Sequence, residues 1–516
     1  MQVVIFTGIT YGGFGRYAGT YRVASELRQA GFEVQVVEFF TTWDHSELLD
    51  IIDKFIDKDT KLVGFSCTFF LPKAAGNWGG RSKVRELIRG SRFHSTGGED
   101  SNSKKFGDER NIPKDNPGTG NVLFGRDDIF DILEYIKSKG NNKIVVGGHR
   151  SYLAEDPPFS PVIDFVLSGQ SDVSIRYLAN HVVYGDDIKV SYEKNGCQII
   201  QEKEYPVNDF PTTRIQYHDN DIIFPGEILP IELARGCIFK CAFCSYDLLG
   251  KKVWEFNRDP ELVSADLIDA HNKFGSTGFM FCDDTYNDSV DKVERLHEQF
   301  VKLPFDMTFS TYARADMLIT KPHTIALLQE SGMRSVFFGI ETLNHRSGKA
   351  VGKGMDPEKI KDGLYAAKAS PGWKDIVTSS GFIIGLPYDT EDTIQATFEW
   401  LLRDDCPLDS FSCSPLSINP ISSIGKNMAK YGYKWDENGN WYSEWMTEAR
   451  AKELAREYMY KTGVKARTRF QFTYFGRMQN IGWTLEDFDN FRYTNDESDK
   501  RVNKLQDKYY VNMMNL

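Results

Sequence analysis

The sequence predicts an α/β protein with an N-terminal doubly wound parallel sheet, a central partial (β/α)6 barrel and a mainly helical, aromatic-rich C-terminal region. Short β-rich segments alternate with amphipathic helical segments in two successive stretches of the chain, which is typical of parallel sheets covered by helices. A chain of 516 residues is also too long for one hydrophobic core. We therefore expect a first unit at 1–190, a linker at 191–224, a barrel at 225–425 and a C-terminal helical cap at 426–516.

The first unit is expected to contain five strands and four helices. Its strands are short and rich in Val, Ile and Phe, and segments with helical spacing lie between them. The expected strands are 3–8, 33–40, 61–70, 143–148 and 164–169, and the expected helices are 16–31, 46–58, 126–140 and 171–182. Ligands bind such sheets at the carboxyl ends of the strands, which here include TGITYGGFG, SCTFF and GGH.

A long polar insertion interrupts this unit at 72–121. Its second half is rich in Gly, Ser, Asn and Pro, a composition that cannot bury much apolar surface. We expect a long mobile loop. Because the insertion follows the carboxyl end of a strand, it is either a lid over the ligand face or a solvated insertion.

The second stretch of alternation predicts the barrel. Its expected strands are 277–284, 306–316, 335–342, 377–387 and 410–420, and its expected helices are 264–275, 290–302, 323–332, 357–370 and 390–404. With the strand before residue 237 this makes about six βα units, fewer than the eight of a closed barrel. An open, partial barrel therefore fits the sequence better.

Composition restricts the classes of partner. The formal charge of −11 and the pI near 5.5 argue against a broad basic surface for nucleic acid. No apolar run reaches the length of a membrane span, and the first residues do not resemble a signal peptide. We expect a cytoplasmic protein whose thiols stay reduced, so that a tight cysteine cluster binds metal or takes part in chemistry.

Such a cluster follows the first barrel strand. Cys237, Cys241 and Cys244 have the spacing C-x3-C-x2-C. A closed structural zinc site needs four ligands, and no fourth cysteine or histidine lies nearby in the sequence. Three thiolates can instead hold three irons of a [4Fe–4S] cluster and leave one iron open for another ligand. A zinc site and three unrelated thiols are the alternatives.

The cysteine loop carries a family resemblance. CIFKCAFC resembles the C-x3-C-x-aromatic-C signature of radical S-adenosylmethionine (SAM) enzymes, with Phe243 at the aromatic position. The series ARGCIFKCAFC, FMFCDDTYN, TYARADML, FFGIETLN and GFIIGLPYDTEDTI resembles the strand ends of the subgroup with an N-terminal cobalamin-binding domain, over about 225–420. The resemblance implies that a [4Fe–4S] cluster on the three cysteines binds SAM and cleaves it reductively to a 5′-deoxyadenosyl radical.

The resemblance also implies a set of SAM-binding residues at the strand ends. They are Phe243, Asp283, Asp284, Arg314, Glu341, Gly381 and Gly385. Phe243 would lie near the adenine, the two aspartates near the ammonium group, and Arg314 at the carboxylate. Glu341 would accept a hydrogen bond from the ribose or the amino group, and the glycines would let the backbone approach the adenine. The alternatives are that an aspartate caps the next helix and that Arg314 pairs with Asp316 or Asp284.

The first unit resembles the cobalamin-binding domain of the subgroup. Ser66 and Thr68 would lie near the corrin, and Gly147 and Gly148 near the nucleotide tail. The D-x-H-x-x-G motif, which supplies a histidine to cobalt in some members, is missing after the first strand. If cobalamin binds, the resemblance implies methylation of an unactivated centre. If the domain is a vestige, it implies a cobalamin-free rearrangement, oxidation or cyclisation.

The resemblance leaves the substrate open, either a small molecule or a peptide. It implies an electron donor such as a flavodoxin or a ferredoxin. A non-enzymatic iron–sulfur or zinc regulator is the alternative from another class. Such a regulator would need the thiols but would have no use for Asp283, Arg314 and Glu341 at successive strand ends.

Overall fold

The computed structural model describes most of the chain. The described residues are 1–8, 14–40, 43–66, 129–148, 151–155, 161–206, 209–246, 248–460, 476, 479–482 and 495–516. They form two large parallel sheets and their helices, which confirms the predicted fold class. The insertion expected at 72–121 lies outside the described residues.

The first sheet has seven strands, six of them parallel. The strands are β1 (Val3–Thr7), β2 (Val34–Val37), β3 (Leu62–Ser66), β4 (Lys143–Gly147), β5 (Phe165–Ser168), β6 (Tyr192–Lys194) and β7 (Cys197–Gln201). Their order is β2-β1-β3-β4-β5-β7-β6, and only β6 runs antiparallel to its neighbour.

Helices cover both faces of this sheet, which makes it doubly wound. They are α1 (Ala18–Gln29), α2 (His45–Phe55), α3 (Ile129–Ser138) and α4 (Asp172–Tyr184). Val3 and Ile5 pack in the same core as α1 and α4. Val4 and Phe6 point to the other face and pack with α2 and α3, because successive side chains of a strand alternate between the two faces.

The second sheet is an open barrel of six parallel strands. The strands, in spatial as well as chain order, are β8 (Leu229–Glu232), β9 (Gly278–Cys282), β10 (Thr308–Ala313), β11 (Met333–Glu341), β12 (Val377–Ile384) and β13 (Ser410–Pro415). The helices between them are α5 (Pro260–Phe274), α6 (Val290–Phe300), α7 (Ala315–Thr320), α8 (Thr324–Glu330), α9 (His345–Val351), α10 (Pro357–Lys368) and α11 (Glu391–Leu401).

The residues expected as a linker differ from the prediction. Strands β6 and β7 lie within 191–224 and extend the first sheet. They form a hairpin whose turn has Asn195 at φ 52° and Gly196 at φ 86°. An Asn-Gly pair at positive φ is the preferred two-residue hairpin turn, so the sequence carried this signal in KNGC.

The C-terminal region also differs from a single helical cap. Its described elements are α12 (Ser423–Lys426), β14 (Lys434–Trp435), β15 (Trp441–Tyr442), α13 (Glu448–Tyr460) and α14 (Asn495–Met514). Helix α13 packs on the barrel, where Cys413 Sγ donates to the Ala455 carbonyl over 3.5 Å. Helix α14 packs instead on the first sheet, where the Tyr509 ring stacks on Trp43 with 6.1 Å between centroids. Within the described ranges, no helix has both the length and the apolar composition of a membrane span.

Two buried arginines connect the first sheet to strand β8. Arg16, in the connection from β1 to α1, pairs with Glu227, just before β8, through Nε–Oε1 and Nη2–Oε2 distances of 2.6 and 3.0 Å. Arg235, just after β8, pairs with Glu232 at 2.6 Å (Nε–Oε1) and with Asp172, the first residue of α4. Both ends of β8 are therefore attached to connections of the first sheet.

A buried carboxyl group lies beside the Arg16 pair. Burial raises the pKa of Glu38 to about 8, against the opposing effects of Arg16 and Tyr21, while Glu227 and Asp221 raise it further. The Glu38 backbone N–H donates to the Tyr509 hydroxyl over 3.3 Å, which brings α14 to the same place. Glu38 therefore stays protonated in the folded protein over a pH range in which the unfolded chain ionises.

We expect Glu38→Gln to raise the stability of the protein at alkaline pH. Between the unfolded pKa of 4.5 and the folded pKa of about 8, the folded state retains a proton that the unfolded state loses, so wild-type stability falls as pH rises through this window. The substitution should remove this fall in the free energy of unfolding. The fall amounts to a few kcal/mol, on the order of 1.4 kcal/mol for each unit of difference between the two pKa values. Urea unfolding from pH 5 to pH 9 measures it. The exposed Glu437→Gln is the control and should leave the pH profile unchanged; parallel profiles for Glu38→Gln and wild type would contradict the expectation.

Candidate functional site

The cysteine loop lies at the carboxyl end of β8 and is held by backbone hydrogen bonds. The Cys237 carbonyl accepts from the N–H groups of Gly250 and Lys251 over 2.7 and 3.3 Å. Further along, the N–H of Ala242 donates to the carbonyl of Val351, at the end of α9, over 3.0 Å. These bonds fix the path of the loop across the open end of the barrel.

The three predicted thiols are brought together on this loop. Cys237, Cys241 and Cys244 are free and half-buried. Burial raises the pKa of the Cys237 thiol, and it raises the pKa of Cys244 to about 11, with the other two cysteines among the smaller causes. Within the described residues, no three His, Cys, Asp or Glu side chains converge on a point where a single metal ion could sit. A cluster differs from such a site because each thiolate binds a separate iron.

Two side chains from neighbouring strand ends contact the sulfurs. The Thr285 hydroxyl lies 3.2 Å from Cys237 Sγ, and Arg314 Nη1 donates to Cys241 Sγ over 3.6 Å. The guanidinium carbon of Arg314 also lies 3.8 Å from the ring centroid of Phe239, inside the same loop. Hydrogen bonds to cysteine sulfur are a recognised means of tuning an iron–sulfur cluster, so both side chains are suited to that role.

The two predicted aspartates point in opposite directions. Phe279 and Phe281 of β9 face the outer core, and Asp283 continues that row: its Oδ2 pairs with buried Lys292 Nζ of α6 at 2.7 Å. Asp284 faces the cysteine loop, where its Oδ2 accepts from the Gly236 N–H over 2.8 Å. Burial, followed by the charge of Asp283, raises the pKa of Asp284 to about 6. Of the pair, Asp284 is thus the carboxylate beside the cysteines.

Arg314 forms the ion pair that had been the alternative to SAM binding. Its Nε donates to Asp316 Oδ1 over 2.9 Å, and Nη2 pairs with the other oxygen of the same carboxylate. Arg314 is nearly fully buried. Its remaining nitrogen, Nη1, is the one directed at Cys241.

Glu341 ends β11 in a strained conformation beside a lysine. Its φ of 69° lies in the left-handed region, and a shift in register between Phe338 and Glu341 interrupts the pairing of β11 with β12. Strain of this kind is concentrated at functional sites. Burial raises the pKa of Glu341, although Lys353 and Arg314 act against it. Lys353 Nζ donates to the Gly339 carbonyl over 2.6 Å, so an anion and a cation lie side by side at this strand end.

The other three residues predicted to bind SAM lie in packed surroundings. Phe243 packs against the barrel core. A Cβ on Gly381 would lie 3.0 Å from the Phe337 ring, inside the barrel. Gly385, at φ 95°, accommodates the Trp441 ring, which would lie 2.5 Å from an added Cβ. The space that Gly385 leaves is therefore occupied by the C-terminal region. The predicted role of Gly385 at the adenine of SAM stays a prediction.

At the first sheet, the described ligand edge contains three of the four residues predicted for cobalamin. Ser66 and Gly147 are cross-strand partners at the ends of β3 and β4. Gly148 follows at φ 101°, in the left-handed region. Among the described residues, an added Cβ on Gly147 would meet nothing closer than 3.9 Å, so the described part of this edge leaves room for a ligand to approach the backbone. Thr68 lies outside the described residues.

Sequence reasoning missed Thr285, Lys292, Gly339 and Lys353. Thr285 directly follows the two aspartates in FCDDTYN, but its contact with a sulfur depends on the fold of a loop 48 residues away. Lys292 has a clearer signal, because a lysine in the first turn of α6 is unusual where an acidic residue would suit the helix dipole. Its buried position between Asp283 and Asp288 explains that choice.

Comparisons with known proteins agree with this geometry. Residues 231–401 match the family model of the radical SAM superfamily, a range that contains the end of β8, the cysteine loop and the four strands β9 to β12. The chain is 25% identical over 300 residues to an uncharacterised methyltransferase of Pyrococcus horikoshii; the match covers 55% of this chain and 63% of that relative, less than two thirds of its length.

Two solved structures show the same overall fold. The first is the radical SAM methyltransferase TsrM of Kitasatospora setae with cobalamin and a [4Fe–4S] cluster bound, which is 15% identical and superposes with a TM-score of 0.61 over 98% of this chain and 99% of that chain. The second is the cobalamin-dependent radical SAM enzyme OxsB with aqua-cobalamin bound, 16% identical, with a TM-score of 0.55 over 83% of this chain and 55% of that chain.

The family match falls on the barrel whose first loop carries the cysteine triplet, and the solved structures share the whole two-sheet arrangement. Residues 231–401 therefore match the radical SAM superfamily, and the chain has the fold of the two solved radical SAM structures that contain cobalamin.

Proposed function

We propose that the protein is a radical SAM methyltransferase that uses a [4Fe–4S] cluster, SAM and cobalamin. The observation that carries the proposal is the cysteine loop: three free thiols at the carboxyl end of β8, with Thr285 and Arg314 directed at two of the sulfurs. When bound, the cluster supplies the electron for reductive cleavage of SAM, and cobalamin supplies a carrier for the methyl group.

The donor set of the loop fits a cluster. Cys237, Cys241 and Cys244 would hold it through three thiolates, one fewer than a fully cysteine-ligated cluster has. Asp284, Arg314 and Glu341 lie around the same loop, and they are charged groups that are buried or partly buried. Charged groups that are shielded from water bind ionic ligands more strongly than exposed ones do.

We propose that Asp284 and Glu341 bind the ammonium and ribose side of SAM. Asp284 faces the cysteine loop, while Asp283 is held by Lys292. Arg314 is already paired with Asp316, so we propose that it positions the cluster through Cys241 and does not bind the SAM carboxylate. We propose Lys353, beside Glu341, as the cation for that carboxylate.

For cobalamin, we propose a site at the ligand edge of the first sheet. Ser66, Gly147 and Gly148 offer a hydroxyl and exposed backbone there, and parallel sheets bind ligands at this edge. Arg235 pairs with Asp172 at the amino end of α4, which brings this edge beside the cysteine loop. A methyl carrier at the edge would therefore lie close to the barrel mouth. The proposed substrate is a small molecule or a peptide, and the proposed compartment is the cytoplasm, where cysteines stay reduced.

We expect any one of Cys237→Ala, Cys241→Ala and Cys244→Ala to abolish the cluster and SAM cleavage, because each removes one of only three thiolates. Iron and sulfide analysis after anaerobic reconstitution, together with 5′-deoxyadenosine formation under dithionite, measures both. Cys406→Ser, which changes a cysteine before β13 at the opposite edge of the barrel, should retain both. A full complement of iron and sulfide in the triple alanine variant would refute the assignment.

Asp284→Asn should weaken SAM binding about ten- to a hundred-fold, since a charge-assisted hydrogen bond contributes roughly 1.5–3 kcal/mol. Asp283→Asn should leave the SAM affinity unchanged but lower the melting temperature, because it deprives buried Lys292 of the nearer of its two carboxylates and leaves it Asp288 at 3.5 Å, at a cost of at most about 3–5 kcal/mol. Calorimetric titration of SAM and thermal unfolding separate the two effects.

The pair Asp283→Asn with Lys292→Met should recover part of the lost stability, because it removes a buried ammonium group that would otherwise face only the more distant Asp288. An unchanged SAM affinity in Asp284→Asn, with the cluster intact, would show that the ammonium group binds elsewhere.

Reconstitution with hydroxocobalamin should leave about one corrinoid per chain after desalting, if the ligand edge binds it as proposed. Gly147→Ala should retain the corrinoid, because an added Cβ would still have 3.9 Å of clearance. Gly147→Leu should lose most of it, since the longer side chain fills the space above the strand. Visible spectra report the retained corrinoid. A wild-type protein with an intact cluster and no retained corrinoid would contradict the proposal.

A further inference from the structure

A buried lysine lies behind the turn that touches the cysteine loop. Lys292, in the first turn of α6, is almost fully buried. Its Nζ lies 2.7 Å from Asp283 Oδ2 and 3.5 Å from Asp288 Oδ1, and these two ion pairs offset the cost of burying the charge. The same Nζ also donates to the Thr285 carbonyl over 3.1 Å, so the lysine reaches the turn itself.

The turn is held at both backbone groups of Thr285. Asp283 Oδ1 accepts from the Thr285 N–H over 2.9 Å, and Lys292 holds the carbonyl of the same residue. Thr285 is buried, and its β-branched side chain has few rotamers available. Because the backbone of Thr285 is fixed at both ends, the direction of its hydroxyl depends on Asp283 and Lys292.

The Thr285 hydroxyl has two acceptors within reach. It lies 3.2 Å from Cys237 Sγ, and it donates to the Asp284 carbonyl over 2.6 Å. A thiol can donate as well as accept, whereas a thiolate bound to iron can only accept. When Cys237 is a cluster ligand, the proton of the contact with its sulfur must therefore come from Thr285.

We propose that Lys292 is a positioning residue, which acts through Thr285 to raise the reduction potential of a cluster bound at Cys237; this inference rests on the proposed function. A hydrogen bond donated to the sulfur stabilises negative charge on the ligand. The reduced cluster carries one more negative charge than the oxidised cluster, so the bond favours the reduced state. Hydrogen bonds to the sulfurs are among the factors that set such potentials.

The test is a redox titration of the reconstituted protein without SAM, in which electron paramagnetic resonance measures the reduced cluster. Thr285→Val removes the hydroxyl at nearly constant volume, and Thr285→Ser retains a hydroxyl. Asp283→Asn with Lys292→Met removes the bond to the Thr285 carbonyl without a change in net charge. The amide oxygen that this variant introduces can still accept from the Thr285 N–H.

The matched control is Asp409→Asn with Lys368→Met. Lys368 Nζ also donates to a backbone carbonyl, that of Ile376, over 3.1 Å, and it lies 2.9 Å from Asp409 Oδ2. This pair lies just before β12 and β13, at the amino ends of the strands, whereas the cysteine loop follows the carboxyl end of β8. The control therefore removes the same kind of interaction at the opposite end of the barrel.

At the midpoint potential of the wild-type cluster, the ratio of reduced to oxidised cluster should fall roughly three- to tenfold in Thr285→Val, the effect expected for one hydrogen bond. Asp283→Asn with Lys292→Met should shift the ratio in the same direction. Thr285→Ser and the control should titrate as wild type. All three substitutions together should shift the potential by less than the sum of the separate shifts, because both changes act through one hydroxyl.

Three results would overturn the proposal. An unchanged potential in Thr285→Val would refute the hydrogen bond to the sulfur. A shift in Thr285→Val but none in Asp283→Asn with Lys292→Met would show that Lys292 serves only the stability of the helix layer. Additive shifts would show that Lys292 acts independently of Thr285.

Failure of the proposed function gives a different result. A wild-type protein that retains its cluster but forms no 5′-deoxyadenosine from SAM under dithionite would contradict the proposed function. The potentials of the variants would still decide the role of Lys292, because the titration contains no SAM.

Discussion

The ion pair between Arg235 and Asp172 is the contact on which the arrangement of the molecule depends. Arg235 lies two residues before Cys237, at the end of β8, and Asp172 begins α4 beside the ligand edge of the first sheet. Glu232 holds the other side of the same guanidinium. Both partners are largely buried, so removal of either weakens the compensation of the other, which is then left to Glu232 for Arg235 and to Arg22 at 3.9 Å for Asp172. The pair therefore fixes how far the ligand edge lies from the cysteine loop.

Strand alternation decides which polar groups reach the barrel mouth. In β9 the phenylalanines face the helices, so Asp283 is directed to Lys292 and Asp284 to the cysteine loop. The same two-residue period places both carboxylates next to each other in sequence yet on opposite sides of the strand. One forms part of a buried ion pair that supports the helix layer, and the other faces the cysteine loop.

The alternation of strands and helices could be predicted because each strand or helix is identified by the spacing of apolar residues within its own segment. Strands β6 and β7 were not predicted although Asn195 and Gly196 mark their turn. The polar side chains of this edge segment do not give the apolar pattern by which a strand is recognised. The cysteines were recognisable from their spacing alone. The contact of Arg314 with Cys241 was not, because it depends on the distance between side chains 73 residues apart, which no local pattern records.

The placement of α14 has a consequence for how the chain is made. Tyr509 and Met513 complete a core that also contains Val4, Phe6 and Trp43, and the Glu38 to Tyr509 hydrogen bond spans 471 positions. During synthesis, the part of this core that Tyr509 and Met513 complete stays open while the whole barrel emerges. A nascent chain therefore exposes this apolar patch beside α2 and α3 for most of its translation, and aggregation there is the expected hazard until α14 has been made.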